Sequence, residues 1–209
     1  MPAPMRREQL LDAAVEAFAE HGFRGASTAN IAARLGVSEP TLFRHFPSKR
    51  ALYLAAIDRS ADQMIAQWRA IAADCATPLE ALLEVGRWYF AELQRDSRHL
   101  VLRFRSYGEA TDPEVGERVR AHFREVFAFV QDLHERARSA GLIDANTDTA
   151  ARTWLFMAIG TLLDATQILG LRDDLRLEDM PGLMMAAMPS LAHPPQNPRG
   201  DDRAPEEVR

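Results

Sequence analysis

Residues 27–49 read STANIAARLGVSEPTLFRHFPSK, and this stretch decides the fold. Ser27 is placed to cap a short helix that Gly36 ends, because serine accepts from free helix N–H groups and glycine adopts the left-handed conformation. Ser38 is placed to cap a second short helix directly afterwards. Two short capped helices with a tight turn between them predict a helix-turn-helix motif over residues 27–46.

The apolar positions of this motif fit the same prediction. Ala32 is small where the two helices must cross, and the anchoring positions around it are apolar. These are Ile31, Leu35, Val37 and Leu42. The alternative is an ordinary helical hairpin in an all-α protein. Such a hairpin does not require a turn glycine, a small crossing residue and four apolar anchors within twelve residues.

Helical periodicity continues on both sides of the motif. Leu11, Val15 and Phe18 form one face of a first helix that Gly22 stops. Further helices are predicted over 48–73, from 78, over 98–107, from 113 to about 141, over 149–169 and from about 179. No alternating pattern is long enough for a strand, so the predicted fold class is all-α.

The order of these segments predicts three parts. The first is a three-helix domain with the helix-turn-helix motif, and the second is a C-terminal helical bundle. A tail rich in proline and acidic residues follows, predicted to be disordered. The boundaries are 1–50, 51–192 and 193–209.

Composition narrows the class of protein. Hydrophobic residues make up 47% of the 209 and charged residues 26%, enough for a packed core. No apolar run approaches the roughly 20 residues that a membrane span needs, and no apolar signal segment follows the N-terminus. Cys75 is the single cysteine, so no intramolecular disulfide forms. We therefore expect a cytoplasmic protein with no membrane partner.

The net charge of −5 hides an uneven distribution. Residues 1–60 carry eight Lys or Arg and six Asp or Glu, whereas residues 61–209 carry seventeen and twenty-four. This difference favours a polyanion partner for the first segment alone.

The second helix of such a motif enters the major groove of DNA, and its first turns meet the base edges. Thr41, Arg44 and His45 can donate hydrogen bonds to phosphates or bases, and Glu39 can accept one from cytosine. A first-turn acid that favours the helix dipole is an equal explanation for Glu39. Lys49, the only lysine, begins a later helix where a cation opposes the dipole, which indicates a phosphate contact.

Residues 5–55, and 27–49 above all, resemble the DNA-binding domain of the TetR family of bacterial transcriptional regulators. The resemblance implies a homodimer whose C-terminal domain binds a small-molecule effector. It also implies that two groups of residues contact double-stranded DNA. Thr28, Thr41, Phe43, His45 and Lys49 match backbone-contacting positions, and Ser38, Glu39, Pro40 and Arg44 match positions nearest the bases. Ser27, which caps the motif, is also predicted to contact DNA.

Two positions depart from the family pattern. The family often has tyrosine at the positions of Phe43 and His45. Phe43 lacks the hydroxyl that could bind a phosphate, so packing alone is an alternative role for it. His45 keeps a donor.

The C-terminal half shows no catalytic constellation, no phosphate-binding loop and no metal-ligand spacing among its histidines. We expect no enzyme activity, cofactor or metal. Aromatic residues on its helices predict an effector pocket, with ordinary core packing as the alternative for each. The candidates are Trp88, Phe104, Tyr107, Phe127, Trp154 and Met157. The excess of acids in this half favours a neutral or cationic effector.

The last two helices are predicted to form the homodimer, with Ala158 and Gly160 allowing close approach. The predicted function is a sequence-specific transcription regulator, a repressor that a small-molecule effector releases from a pseudo-palindromic operator, with the fourth helix as the lever. Two alternatives are a DNA-binding regulator without an effector, and an all-helical carrier or enzyme with a vestigial helix-turn-helix.

Overall fold

The computed structural model describes residues 3–171, and side chains from residue 6 onward. This part of the chain forms eight α-helices and no strand, as the sequence predicted. None of these helices is long and apolar enough to cross a membrane. They are α1 Ala3–Gly25, α2 Thr28–Arg34, α3 Glu39–His45, α4 Lys49–Asp74, α5 Pro78–Arg95, α6 Arg98–Gly108, α7 Pro113–Ser139 and α8 Thr149–Ile168.

Side-chain caps start most of these helices. Ser27 accepts from the Asn30 amide at the start of α2, and Ser48 accepts from the Ala51 amide, 3.0 Å away, at the start of α4. Each cap satisfies an amide that has no partner within its helix. Ser38 holds the same position before α3 but makes no such bond, so the predicted side-chain cap is wrong there.

Gly22 interrupts α1 as predicted. Its φ of 68° and ψ of 177° leave the helical region, and one further turn then runs to Gly25. Glycine reaches a positive φ without the steric cost of a Cβ.

The described residues form two hydrophobic cores, and three helices, α4, α6 and α7, enter both. The first core joins α1 and the helix-turn-helix to the first half of α4, whereas the second core begins at Met64 of the same helix. From α6, Leu102 packs into the first core and Leu100 into the second. The two halves of the protein are therefore joined through shared helices.

α8 is covered only in part. Along it, Trp154, Leu155 and Leu162 are exposed, with Leu162 at 58%. The helix predicted from residue 179 and the predicted tail over 193–209 lie outside the described residues.

Candidate DNA-binding and effector sites

The turn between α2 and α3 fixes the angle of the motif. Gly36 has a φ of +64°, and the Val37 amide donates to the Ala32 carbonyl at 3.1 Å. Ile31 and Leu42 are fully buried, one from each helix. The backbone turn and this shared apolar contact hold α3 against the rest of the domain.

The outward face of α3 carries the predicted base-contacting residues. Pro40, Phe43 and Arg44 are exposed, with Phe43 at 37%. Arg44 Nη2 donates to Thr41 Oγ1 at 3.1 Å, and the same hydroxyl lies 2.9 Å from Ser38 Oγ. These three polar side chains form one connected array on the exposed surface, with guanidinium N–H groups left to donate to a ligand.

Thr28 and Glu39 are hydrogen-bonded to each other. The Thr28 hydroxyl donates to Glu39 Oε1 at 2.5 Å and so links α2 to the first turn of α3. This bond gives Glu39 a role inside the motif besides the favourable position of an acid at a helix start. That either residue contacts DNA stays a prediction.

Lys49 also has a partner inside the protein. Its Nζ donates to the Arg24 carbonyl at 3.3 Å and lies 5.1 Å from the centre of the Phe23 ring. The last turn of α1 presents free carbonyls, which favour a cation. This contact explains a lysine at the start of α4 without DNA, and the predicted phosphate contact stays a prediction.

Two cations beside the motif were missed from the sequence. Arg6 Nη1 donates to the Leu35 carbonyl at 3.4 Å, and the Arg7 guanidinium lies 4.9 Å from the centre of the Phe46 ring. They place two positive charges next to the α2–α3 turn and the end of α3. The signal in the sequence is the pair of adjacent arginines at positions 6 and 7.

A pocket lies between the helices of the second core. It contains about 450 Å³ of space free of atoms, part of it open to solvent. α4, α5, α6, α7 and α8 all contribute to its mainly apolar wall, an arrangement typical of small-molecule sites in helical bundles. The lining residues are Trp68, Gly86, Tyr89, Arg103, Tyr107, Val126, Phe156, Met157, Ile159, Gly160, Thr161 and Leu163.

One buried polar cluster stands at the wall of this pocket. The Tyr89 hydroxyl donates to Asp164 Oδ1 at 2.5 Å, and Arg103 Nη2 donates to Asp164 Oδ2 at 2.8 Å and to the Tyr89 hydroxyl. The Asp164 side chain is 1% exposed and that of Arg103 is 12% exposed. Burial raises the pKa of Tyr89, so its hydroxyl keeps the proton that it donates. The cluster joins α5, α6 and α8.

The structure brings together only part of the predicted effector set. Tyr107 and Met157 line this pocket and also a second, smaller one beside His122 and Phe123. The other four candidates line neither pocket; they are Trp88, Phe104, Phe127 and Trp154. Trp154 is 56% exposed and packs on the Phe127 ring with 5.1 Å between ring centres.

Gly160 is likewise placed on the other side of α8 from the predicted dimer contact. A Cβ added there would meet the Tyr89 ring at 3.8 Å, so Gly160 faces the pocket. Ala158 is exposed, on the same side of the helix as Leu155 and Leu162. The two residues differ because positions two apart on a helix point in nearly opposite directions.

Two histidines of the C-terminal half, His134 and His99, and the single cysteine, Cys75, lie in ordinary structural environments. His134 is buried, with Nδ1 3.0 Å from Thr153 Oγ1, and His99 Nδ1 lies 3.2 Å from Ser60 Oγ. Burial raises the pKa of the Cys75 thiol, which keeps it in the unreactive form. Among the described residues, no group of three or more potential ligands could hold a metal ion.

A helix-turn-helix with a donor-bearing second helix, joined to a helical bundle with an internal pocket, defines a class: helical DNA-binding transcription regulators. Residues 10–56 match the family model described as bacterial regulatory proteins, tetR family. The chain is 33% identical over 165 residues to the transcriptional activator FasR of Mycolicibacterium smegmatis, covering 74% of each protein. It is 30% identical over 167 residues to the transcriptional regulator UidR of Escherichia coli, covering 76% of this chain and 80% of that protein.

The fold agrees with these sequence matches. A TetR-family regulator from Rhodococcus sp. superposes with a TM-score of 0.73 at 18% identity, covering 91% of this chain and all of that one. The chain belongs to the TetR family, and it is a DNA-binding transcriptional regulator with a helix-turn-helix.

Proposed function

We propose that the protein is a repressor that binds a pseudo-palindromic operator as a homodimer and leaves it when a small molecule fills the pocket. In this proposal residues 1–50 read DNA, and residues 51–192 bind the effector and dimerise. We place it in the cytoplasm and assign it no catalytic role. The observation that carries the proposal is the exposed array of Ser38, Thr41 and Arg44 on α3.

The charges around α3 support DNA as the partner. Arg44 presents donors outward, while Arg6 and Arg7 add charge beside the motif. Phosphate contacts by such cations supply much of the affinity of a protein for DNA, and base contacts in the major groove supply specificity. Most acidic residues follow residue 60, in the part of the chain that would not contact the duplex.

The exposed face of α8 supports a homodimer. Leu155, Ala158, Leu162 and Leu169 recur at helical spacing, and Leu169 is 67% exposed. A contiguous apolar stripe of this kind is typical of a surface that another chain covers. A twofold dimer would present its two α3 helices to half-sites about one turn of DNA apart, or ~34 Å.

α6 supports a link between effector and operator. Its Arg103 lines the pocket, and its Leu102 packs into the core that holds the helix-turn-helix. The sequence predicted α4 alone as the lever, whereas α6 and α7 also enter both cores. A ligand that favours one position of α6 would shift the spacing of the two α3 helices, and DNA would oppose that ligand by the same coupling free energy.

Selection of bound genomic fragments, followed by a transcription assay on the selected promoters, tests this proposal. We expect one pseudo-palindromic motif and lower transcription when the protein is added. Higher transcription would retain DNA binding but overturn repression, and the relative from Mycolicibacterium smegmatis is itself named an activator. Selected fragments without a common motif would overturn the proposal that the protein recognises a specific operator.

The effector part has its own test. A regulator without an effector would bind the operator equally well with and without a pocket ligand. A carrier with a vestigial helix-turn-helix would not bind the operator at all. Operator affinity measured with and without a pocket ligand separates these readings. We expect the ligand to weaken operator binding, and unchanged affinity with the pocket filled would overturn the effector response.

A further inference from the structure

Two residues that line the pocket each carry a buried N–H group without a hydrogen-bond partner in the described part of the chain. Trp68 is 3% exposed, and its indole Nε1 has no hydrogen-bond partner within the described residues. The same holds for Nε of Arg103. A buried donor without an acceptor costs roughly 1–3 kcal/mol, so each such group needs an explanation, and an acceptor on a bound ligand is one.

The rest of the Arg103 guanidinium is already engaged. Nη2 donates to Tyr89 and Asp164, and Nη1 lies 3.2 Å from Met64 Sδ. Trp68 is held on three sides by aromatic rings, with Tyr89 at 6.0 Å and Phe156 at 6.2 Å between ring centres. Both unpaired donors are therefore carried by side chains with fixed positions, as a selective site requires.

The pocket has no uncompensated charge. Arg103 is the one charged residue among those that line it, and Asp164 forms an ion pair with that residue at 2.8 Å. Burying an unpaired charge in an apolar site is far more costly than burying a neutral polar group. A carboxylate at Arg103 would lie close to Asp164, and an ammonium group would meet the guanidinium.

We propose that the pocket takes a neutral, mainly apolar molecule that carries a carbonyl-type acceptor, held by the N–H groups of Trp68 and Arg103. This inference rests on the proposed function, because it identifies the chemical class of the effector at the same pocket. The excess of acids in the C-terminal half favoured a neutral or cationic effector. The pocket narrows this choice to a neutral one.

Four probes of similar size test the class: acetophenone, benzoate, benzylammonium and isopropylbenzene. Each is titrated into the full chain at low-millimolar concentration by calorimetry, with thermal stability as a second readout of binding. We expect acetophenone to bind at least tenfold more tightly than benzoate or benzylammonium, and about fivefold more tightly than isopropylbenzene. Equal or tighter binding of either ion, or no binding of acetophenone, overturns the proposal.

Trp68→Phe isolates the indole donor. It keeps an aromatic ring and removes one buried N–H without an acceptor, which favours the folded ligand-free protein, while the smaller ring leaves a cavity that opposes this gain. Acetophenone affinity should fall about fivefold, with isopropylbenzene affinity unchanged. An equal fall for both probes, or no fall for acetophenone, would show that the indole N–H does not bind the carbonyl.

Asp164→Asn tests the charge argument. It leaves the Arg103 charge without its partner, so the preference should invert and benzoate should bind more tightly than acetophenone. If this variant does not fold, the Trp68→Phe result decides the proposal by itself. A folded Asp164→Asn protein that still prefers acetophenone tenfold would contradict the charge argument.

The operator readout separates the ligand class from the proposed function. If acetophenone binds the pocket as expected and operator affinity does not change, the ligand class holds and the effector response fails. If benzoate or benzylammonium releases the operator and acetophenone does not, the effector response holds and the ligand class is overturned.

Discussion

Leu102 and Arg103 are adjacent on α6, yet their side chains lie in different parts of the molecule. Leu102 is fully buried in the core that contains the helix-turn-helix, and Arg103 binds Asp164 at the pocket. α6 also carries Arg98, which pairs with Glu16 of α1. A shift of α6 on ligand binding must therefore disturb the packing beneath the DNA-binding motif.

Leu102→Ala tests this connection. We expect the free energy of unfolding to fall by about 2–5 kcal/mol in chemical denaturation, because the substitution leaves a cavity in a closed core. We also expect pocket affinity to persist while the ligand changes operator affinity less than in the wild type. Leu142→Ala is the matched control, since Leu142 is 41% exposed and should cost under about 1 kcal/mol. Wild-type coupling in Leu102→Ala would exclude α6 as the link.

Gly36 sets the turn before α3, and its replacement separates backbone conformation from packing. An added Cβ at Gly36 meets no atom within 4 Å, so only the positive φ opposes a side chain. Gly36→Val should lower the free energy of unfolding by about 1–2 kcal/mol, whereas Gly36→Asn should cost less, since asparagine tolerates this region. Operator affinity should follow the same order. Equal losses for both variants would show that the backbone conformation is not the cause.

Leu162 tests the exposed stripe of α8. Leu162→Glu places a charge at the centre of this stripe. Because burying an unpaired carboxylate at an interface is costly, we expect the variant to be monomeric when measured by sedimentation velocity. Operator affinity should fall with the loss of the second half-site. Leu142→Glu changes an exposed leucine outside α8 and should leave the dimer intact. A dimeric Leu162→Glu protein would move the interface elsewhere.

His134 makes stability depend on pH. Burial and the nearby Arg152 guanidinium lower the pKa of His134 to about 4, from an ordinary value of 6.5. Between these values the unfolded chain binds a proton that the folded chain does not, so stability is full above pH 6.5 and falls as the pH drops towards 4. The loss approaches roughly 3 kcal/mol across this window.

His134→Gln removes that titration and keeps a hydrogen-bonding side chain. The variant should show a shallower decline in the free energy of unfolding between pH 6.5 and 4.5, measured by urea denaturation. His99 remains in both proteins; burial lowers its pKa too, so part of the slope should persist. An identical slope in both proteins would show that His134 is not protonated on unfolding in this range.

The fold was predictable because its signals are local. Ser27 and Gly36 start and end α2 by interactions within a few residues, and each stands plainly in the sequence. The pocket was predictable only in part, through Tyr107 and Met157, because its polar cluster joins three helices whose packing no short stretch of sequence encodes. A signal was available in Asp164, the only charged residue between Arg152 and Arg172. An isolated acid in an apolar helix indicates a buried partner, here Arg103.

The predicted DNA contacts fall into two groups for a physical reason. Arg44 and Thr41 lie on the exposed face of α3, as the spacing indicated. Thr28, Glu39 and Lys49 have partners inside the protein, and their contacts with DNA stay predictions. A polar or charged side chain at a helix start can bind either a neighbouring helix or a phosphate. The sequence pattern is the same in both cases.

Fluorescence anisotropy on the selected operator is the most direct test of operator recognition by α3. Wild-type protein, Arg44→Ala and the distant control Arg136→Ala are titrated into operator and scrambled DNA at several salt concentrations. We expect Arg44→Ala to lose about tenfold or more in operator affinity, and Arg136→Ala, which changes an exposed arginine near the end of α7, to match the wild type. Operator affinity unchanged in Arg44→Ala, or equal wild-type affinity for operator and scrambled DNA, would contradict recognition of the operator by α3.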